Sequence, residues 1–191
     1  KTPESEIVMP DWDDLSVRLE KRLAEFSNDS DINHLRGTVS TECLCAADFP
    51  VGVYQLDVPT GGGKTLASLR FALHHAKKYG MERIIYVIPY LSVLEQTAKN
   101  IREDLELAID NDIILEHHSN VSVPEEESEA QARRLLTDRW NTPIVITTMV
   151  QFLESAYSAK SGMLRKMHNM NNAVIIFDEA QSLPLKCFHL F

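Results

Sequence analysis

Hydrophobic and polar positions follow helical spacing in some stretches of this chain and form short apolar runs in others. Asp11–Phe26 shows the helical spacing, with apolar side chains at Leu15, Leu19 and Leu23 and aspartates at the start that suit a helix dipole. After residue 50, apolar runs of strand length alternate with longer stretches of helical spacing. The runs predicted to be strands are Val53–Val58, Arg83–Ile88, Ile113–Leu115, Ile144–Ile146 and Ala173–Phe177.

The stretches between the predicted strands favour helices. These are Thr65–Tyr79, the apolar face formed by Leu94, Ala98, Ile101, Leu105 and Ala108, the segment Glu125–Trp140, and Val150–Ala159. Gly162–Asn172 is polar and predicts a loop, with a short helix as the alternative. Apolar strands separated by helices form a parallel sheet that is covered on both faces. The predicted fold class is therefore α/β, with a mostly parallel sheet and helices on both of its faces.

The pattern divides the chain into two parts. Residues 1–31 form an N-terminal helical lead-in that ends in the turn-rich linker Asn28–Asp31, and residues 32–191 form one α/β domain. A length of 191 residues suits one such domain rather than two. The chain begins at Lys1 and stops at Phe191, soon after its most informative motif. We therefore expect it to be a piece of a longer protein.

The net charge of −9 argues, taken alone, against a nucleic-acid partner, because phosphate binding favours a basic face. Much of the acid is concentrated in residues 4–31 and 125–129, however, so a groove elsewhere can still be positive. The three cysteines are an odd and sparse set and do not form a disulfide framework, which predicts buried reduced thiols and a cytoplasmic protein. No apolar run approaches the length of a membrane span, so we predict no membrane association.

The segment PTGGGKT follows one predicted strand and opens a predicted helix. A glycine-rich loop in that context binds the phosphates of a nucleotide, because bare backbone and helix N-terminal N–H groups form a nest for the anion. In such a loop Lys64 reaches the β- and γ-phosphates of ATP, and the Thr65 hydroxyl binds Mg²⁺. The predicted cofactor-binding residues are Pro59, Thr60, Gly61, Gly62, Gly63, Lys64 and Thr65.

The loop departs from the pattern G-x-x-x-x-G-K-[ST] at one position, where Val58 stands in place of the first glycine. The alternative interpretation is a glycine turn that ends in Lys-Thr by chance. The strand before the loop and the helix after it argue against that alternative.

A second motif, Asp178-Glu179-Ala180-Gln181, follows directly after the predicted strand Ala173–Phe177. Carboxylates at the carboxyl end of a parallel strand face the same crevice as a phosphate loop. Asp178 is predicted to hold Mg²⁺ and Glu179 to polarise the attacking water, so Lys64, Asp178 and Glu179 are the predicted catalytic residues. Two acids after a strand are by themselves more often a solvated turn or a helix start. Their combination with PTGGGKT favours the catalytic interpretation.

PTGGGKT followed by DEAQ resembles motifs I and II of superfamily 2 helicases. Ile88-Pro89-Tyr90 and the following helix are similar to motif Ia, and Ile146–Phe152 is similar to motif Ib. The resemblance implies a RecA-like P-loop NTPase lobe that uses ATP and Mg²⁺ and holds the backbone of single-stranded DNA. The residues implied for DNA contact are Pro89, Tyr90, Gln96, Thr147 and Thr148, with Gln181 coupling hydrolysis to strand movement. A helix cap is the alternative role for Thr147-Thr148, and it is compatible with phosphate binding.

Further segments are similar to one branch of that superfamily, the helicase–nuclease of type I CRISPR systems. They are Ile32–Arg36, Phe71–Ala76, Arg83–Tyr90, Glu116–Ser119 and the run IIFDEAQ that ends at Gln181. The resemblance implies an ATP-dependent DNA helicase that an RNA-guided surveillance complex recruits and that helps degrade invading DNA. It also implies a second helicase lobe and a metal-dependent nuclease domain elsewhere in the full-length protein.

No nuclease activity is assigned to this chain itself. The nuclease of that branch has a His-Asp pair, and none of the seven histidines here is followed by aspartate. The second lobe supplies the arginine that stabilises the transition state, so we expect the first lobe alone to be a poor ATPase. The alternatives are a nucleotide-binding or partner-docking module with little hydrolysis, or another superfamily 2 DNA translocase. A small-molecule kinase or transporter ATPase shares the phosphate loop, but the segments similar to motifs Ia and Ib argue against it.

Adenine recognition has no recognisable motif in this chain. Asn33 and Arg36 are candidates by position only, and Arg36 is equally a candidate for a surface ion pair. The pairs His74-His75 and His117-His118 suggest a metal at first sight. Adjacent side chains on a helix or a strand point in different directions, so we predict ordinary surface or packing roles for them.

Overall fold

The structure is a computed structural model that describes residues 10–27, 29–109, 112–118, 140–157, 166 and 169–182. Within these ranges the helices are α1 (Trp12–Ala24), α2 (Asp31–Ala46), α3 (Lys64–Tyr79), α4 (Leu91–Asp104) and α5 (Met149–Tyr157). The strands are β1 (Arg83–Ile88), β2 (Ile114–His117), β3 (Ile144–Thr148) and β4 (Ala173–Phe177), and a 3₁₀ turn follows at Ala180–Ser182. The helix predicted at 125–140 and most of the polar segment 162–172 lie outside the described residues.

The four strands in these ranges form one parallel sheet in the order β2-β3-β1-β4. Strand β1 lies inside the sheet, and all six of its residues are buried. Tyr86 of β1 is level with Ile146 of β3 and with Ile176 of β4. Parallel strands end at the same edge of a sheet, so the carboxyl ends of β1, β3 and β4 lie side by side. The predicted parallel α/β sheet is confirmed.

Side chains of β1 alternate between two hydrophobic cores, one on each face of the sheet. Ile84 and Ile88 belong to the larger core, which includes residues of α1, α3 and α4. Ile85 and Val87 belong to a smaller core with α5 and Trp140. Successive side chains of a strand point to opposite faces, so this alternation follows from the strand itself. Helices therefore cover both faces, as predicted.

Helix α1 packs into the larger core. Asp11 caps its N-terminus with a side-chain oxygen, and Leu19 in its middle is fully buried. The indole N–H of Trp12 donates to the carbonyl oxygen of Met81 at 2.7 Å. The helix predicted at residues 11–26 is confirmed. The division of the chain at residue 31 stays a prediction, although the helix before it contacts α3 directly.

Helix α2 is the element that the sequence pattern did not reveal. Its buried side consists of Val39, Ser40 and Cys43, while most of its other residues face solvent. So narrow a buried face produces little periodicity in the sequence. Cys43 is a buried thiol as predicted, but the same prediction is wrong for Cys45, which is exposed on the outer side of the helix. None of the helices within the described ranges combines the length and the apolar character that a membrane crossing requires.

Two segments differ from their predictions. The strand predicted at Val53–Val58 is wrong, because this segment has no regular secondary structure and joins no strand. A strand is maintained by hydrogen bonds to a neighbouring strand, and Val53 instead points fully into solvent. Helix α4 ends at Asp104, so the predicted apolar face stops at the buried Leu105 and Ala108 lies exposed beyond it.

Candidate active site

Residues 59–63 form a turn that leads directly into the N-terminus of α3. The N–H of Gly62 donates to the carbonyl oxygen of Pro59 at 2.9 Å. Gly63 is the N-cap of the helix and has a φ of +82°, a conformation that favours glycine. The first N–H groups of a helix have no partner within the helix, so they are suited to an anion. The turn therefore places the N-terminus of α3 at the end of the loop that is predicted to bind phosphates.

The loop has no room for a side chain at Gly62 and little room for one at Gly63. A Cβ at Gly62 would overlap Cγ1 of Val58 and lie 2.9 Å from the carbonyl oxygen of Pro59. A Cβ at Gly63 would lie 3.2 Å from Cγ of Arg36. Val58 is itself buried in a small cluster on α2 and α3. The valine that replaces the first glycine of the general pattern is thus accommodated by the bare backbone of Gly62.

We expect Gly62→Ala to weaken nucleotide binding by at least about tenfold, because the clash with a backbone oxygen forces the loop to move. The matched control is Gly52→Ala, where the new Cβ would have only ordinary contacts at 3.8 and 4.0 Å. The dissociation constant of an ATP analogue, measured for both variants of the full-length protein, tests this. Equal affinities in the two variants would show that the loop is not the binding site.

The DEAQ motif lies beside the phosphate loop. The N–H of Asp178 donates to the carbonyl oxygen of Val87 at 3.0 Å, which holds the motif at the end of β1. The Nζ atom of Lys64 lies 3.3 Å from Oε1 of Glu179, and both side chains are partly open to solvent. The second carboxylate oxygen of Glu179 accepts a hydrogen bond from the side-chain amide of Gln181. The structure therefore joins the two motifs in one site, although they are far apart in sequence.

The residues of this site fit a nucleoside triphosphate with Mg²⁺. Bare backbone, a helix N-terminus and the Lys64 ammonium group supply donors for phosphate oxygens. The Thr65 hydroxyl, in the first turn of α3, and the Asp178 carboxylate are oxygen ligands of the kind that Mg²⁺ prefers. Among the described residues, no group of three or more His, Cys, Asp or Glu side chains could hold a metal ion. The Thr65 hydroxyl and the Asp178 carboxylate suit an ion that takes further ligands from phosphate and water, as Mg²⁺ does.

Asn33 and Arg36, the candidates for adenine recognition by position alone, lie against the phosphate loop. The Nε atom of Arg36 donates to the carbonyl oxygen of Gly61 at 2.9 Å. Its Nη1 atom lies 3.4 Å from Oδ1 of Asn33. Helix α2 brings both residues there, so the element that the pattern missed carries part of the site. The resemblance at residues 32–36 was the one signal in the sequence that pointed to it.

The segments similar to motifs Ia and Ib begin side by side. Ile88 is paired with Thr148, so β1 and β3 end level with one another and Pro89 follows at the same edge. Tyr90 is 62% exposed and stands at the N-terminus of α4. The Thr148 hydroxyl accepts the N–H of Gln151 at 3.3 Å, which is the predicted capping alternative. A capping hydroxyl keeps its own hydrogen, which remains available to a phosphate.

Two of the residues implied for DNA contact have other partners. Thr147 is fully buried, and its hydroxyl donates to the carbonyl oxygen of His117 at 3.0 Å. Its side chain therefore faces the interior, which leaves Thr148 as the member of the pair that can contact a strand. Gln96 is exposed on α4, where its amide donates to Oδ1 of Asn100 at 2.7 Å.

His117 and His75, one from each histidine pair, contact neighbouring groups of the fold. His117 accepts the indole N–H of Trp140 at 3.1 Å on one ring nitrogen, and Lys166 Nζ lies 3.5 Å from the other. Burial, followed by the charges of Lys166 and His118, lowers the pKa of His117 to about 4. His75 lies 2.9 Å from the carbonyl oxygen of Ala47, and its ring stacks on a neighbouring phenylalanine.

We expect the protein to lose stability as the pH falls from about 6.5 to about 4. The pKa of His117 is lower in the folded state, so the unfolded chain binds the proton first and the stabilisation is complete only above pH 6.5. The shift corresponds to a loss on the order of 3 kcal/mol. Urea unfolding across this range tests it, with His117→Gln as the comparison because a glutamine oxygen can still accept the indole N–H. An equally steep decline in the variant would contradict this account.

The comparisons with known proteins agree with this geometry. A family model described as DEAD/DEAH box helicase matches residues 48–188. The chain belongs to the DEAD/DEAH box helicase family. The helicase domain is also similar to the CRISPR-associated nuclease/helicase Cas3 of Haloferax volcanii, with 31% identity over 148 residues that cover 68% of this chain and 16% of that protein.

A solved structure has the same fold. The T. fusca Cas3–AMPPNP crystal structure matches 90% of this helicase chain and 21% of its own chain, with a TM-score of 0.66 and 18% identity. The helicase domain therefore spans about a sixth to a fifth of these two relatives. The predicted relationship to superfamily 2 helicases and their Cas3-like branch is confirmed, as is the RecA-like α/β lobe.

Proposed function

We propose that this helicase domain binds ATP at residues 59–65 and uses its hydrolysis, together with a second lobe, to move along single-stranded DNA. The observation that carries the proposal is the contact of 3.3 Å between Lys64 Nζ and Glu179 Oε1. It joins a phosphate-binding loop to a carboxylate pair at the carboxyl edge of a parallel sheet, which is where such folds bind nucleotides.

Each residue of the site has a role that follows from its position. Lys64 neutralises charge on the β- and γ-phosphates, and Thr65 and Asp178 are the residues that would hold Mg²⁺. The ion, when bound, draws charge from the phosphate oxygens. Glu179 accepts the proton of the attacking water, and Gln181, which contacts Glu179 directly, is placed to couple hydrolysis to movement.

When the nucleotide binds, Lys64 leaves Glu179 and pairs with the phosphates. A triphosphate carries more negative charge than one carboxylate, so the ammonium group turns towards it and releases Glu179 for the water molecule. The two side chains are 33% and 41% exposed, so their ion pair is screened by solvent. Pairs of this kind contribute about 0–1 kcal/mol, so breaking this one opposes nucleotide binding only weakly.

The face at the carboxyl ends of β1 and β3 is proposed to hold the DNA strand. The exposed Tyr90, with Pro89 beside it, and the hydroxyl of Thr148 lie at the starts of α4 and α5. Hydroxyls and helix N-terminal N–H groups hold phosphates without reading bases, so sequence-independent binding follows. Such contacts also suit a chain with a net charge of −9, because they do not depend on a basic surface.

The similarity to the Haloferax volcanii protein supports a narrower proposal. We infer that this domain is the motor of a cytoplasmic CRISPR-associated helicase–nuclease that unwinds invading DNA and helps degrade it. An RNA-guided surveillance complex recruits that protein, and the second lobe and the nuclease domain lie in its remaining sequence. Another superfamily 2 DNA translocase is the alternative within the same family.

ATP hydrolysis by the full-length protein tests the proposal when it is measured without nucleic acid, and with single-stranded DNA, duplex DNA or single-stranded RNA. We expect single-stranded DNA to raise the rate most. Thr148→Val should raise the DNA concentration needed for half-maximal stimulation, whereas the control Thr41→Val, on the exposed side of α2, should not. A rate of ATP hydrolysis that no nucleic acid changes would instead favour a nucleotide-binding or docking module. Stronger stimulation by RNA than by DNA would refute the DNA motor.

A further inference from the structure

We infer that Arg36 of α2 is a positioning residue for the phosphate loop. Its hydrogen bond to the Gly61 carbonyl holds one peptide of the loop in the orientation that keeps the N-terminus of α3 open to phosphates. The inference rests on the proposed function, because the orientation of this peptide matters only if the loop binds a nucleotide.

The peptide unit between Gly61 and Gly62 is held from both sides. Its carbonyl oxygen accepts the Nε–H of Arg36 at 2.9 Å, and its N–H donates to the carbonyl oxygen of Pro59 at 2.9 Å. The C=O and N–H of one planar trans peptide point in opposite directions, so these two contacts fix the plane. Gly61 has a φ of +82° and open space where a side chain would be. Without the arginine the peptide keeps only its N–H contact, and so permissive a residue as Gly61 gives the plane more freedom to rotate.

The aliphatic part of Arg36 lies over the start of α3. Its Cγ and Cβ atoms are 3.2 Å and 3.6 Å from the position that a Cβ would take at Gly63. An arginine can pack its stem on backbone in this way while its guanidinium group stays in solvent. The same side chain therefore supports two consecutive parts of the loop, the Gly61 carbonyl and the N-cap of the helix.

Helix α2 is firmly attached to α3, so Arg36 has a defined position. Arg70 of α3 donates to the Ser40 hydroxyl of α2 at 3.1 Å and to the Glu20 carboxylate of α1 at 2.7 Å. Val39 and Cys43 of α2 also pack in one cluster with residues beside the loop. Helix α2, which carries Arg36, is thus attached to α3, the helix that follows the loop directly.

The guanidinium group adds a positive charge at the edge of the loop. It also contacts Asn33 of the same helix, at 3.4 Å, and a guanidinium has more N–H groups than these two bonds use. Because the side chain is exposed, its attraction for a polyphosphate is screened by salt. The contact with Gly61 and the positive charge both lie at the phosphate loop. The effect of Arg36 is therefore expected on phosphate binding and not on recognition of the base.

The test compares Arg36→Ala, Arg36→Lys and a control in the full-length protein with saturating single-stranded DNA. The control is Arg22→Ala, in α1, whose side chain pairs with Glu25 and Asp104 and does not contact the loop. Three quantities are measured: the KM for ATP, the kcat, and the inhibition constant of inorganic tripolyphosphate, which has no base. We expect Arg36→Ala to raise the KM and the inhibition constant about tenfold alike, with kcat within about twofold of wild type. Arg36→Lys should recover part of the loss, because its ammonium group can still donate to the Gly61 carbonyl.

Three results would overturn the inference: an unchanged KM in Arg36→Ala, a fall in kcat alone, or a rise in KM without a rise for tripolyphosphate, which would mark a contact to the base. If Arg36→Ala does not fold, the KM for ATP and the inhibition constant of tripolyphosphate are compared between Arg36→Lys and wild type instead. A wild-type protein that hydrolyses no ATP would refute the proposed function and this inference together. An active wild type with an unaffected Arg36→Ala would refute this inference alone.

Discussion

Replacing Lys64 by alanine is expected to reduce ATP turnover by the full-length protein, stimulated by single-stranded DNA, about 10²–10³-fold. That factor corresponds to about 3–4 kcal/mol of transition-state stabilisation, the size found when one preorganised donor is removed from a developing charge. The ammonium group stands in the first turn of α3, next to the bare backbone of the loop. Neither the shortened side chain nor solvent can replace it at the phosphates.

The control for this variant is Lys77→Ala, at the other end of the same helix. Lys77 is exposed and forms an ion pair with Asp13 of α1, away from the phosphate loop. Removing an exposed pair changes stability by about 0–1 kcal/mol and should leave turnover unchanged. Full stimulated turnover in Lys64→Ala would show that ATP is hydrolysed by a mechanism that does not use this loop.

Glu179→Gln is expected to reduce turnover about 10²–10⁴-fold, the contribution of a positioned general base. An amide has nearly the same shape as a carboxylate but cannot take a proton from water. The substitution also removes the ion pair with Lys64, which lies at 3.3 Å, so the lysine is no longer drawn away from the nucleotide. ATP binding should therefore be as tight as in wild type or tighter, while hydrolysis is lost.

Steady-state turnover and analogue binding, measured on the same preparation, separate these two effects. The control is Glu42→Gln, an exposed glutamate on α2 outside the proposed site. Loss of binding in Glu179→Gln, to the same extent as loss of turnover, would mean that the carboxylate supports the loop and does not act on water.

The structure brings Lys64 to within 3.3 Å of Glu179, and the catalytic roles of both residues stay predictions. The two residues are separated by 115 positions. The carboxyl ends of parallel strands share one edge, and DEAQ follows β4 at that edge of the sheet, whereas PTGGGKT follows a segment without regular secondary structure. Strand β1 could be predicted from the sequence, because a largely apolar run of six residues between Gly80 and Pro89 has few other interpretations, and all six are buried. For β1 the local pattern and the global fold required the same answer.

Other parts of the site depend on contacts that leave no local pattern. Helix α2 buries a narrow face, so its periodicity is weak, and the contact of Arg36 with the Gly61 carbonyl could not be predicted. The apolar run 53–58 has the composition of a strand but no neighbouring strand to pair with. The burial of Thr147 follows from its hydrogen bond to the backbone of β2, and a sequence does not show such a partner.

The most direct test of the central claim is a titration of the full-length protein with AMPPNP and Mg²⁺, comparing wild type, Lys64→Ala and Glu179→Gln. The claim is that residues 59–65 and 178–179 form one nucleotide site, in which Lys64 binds phosphate and Glu179 acts only on the attacking water. The account predicts at least about tenfold weaker binding in Lys64→Ala and undiminished binding in Glu179→Gln. Equal affinity in all three proteins, or equal loss in both variants, would contradict it.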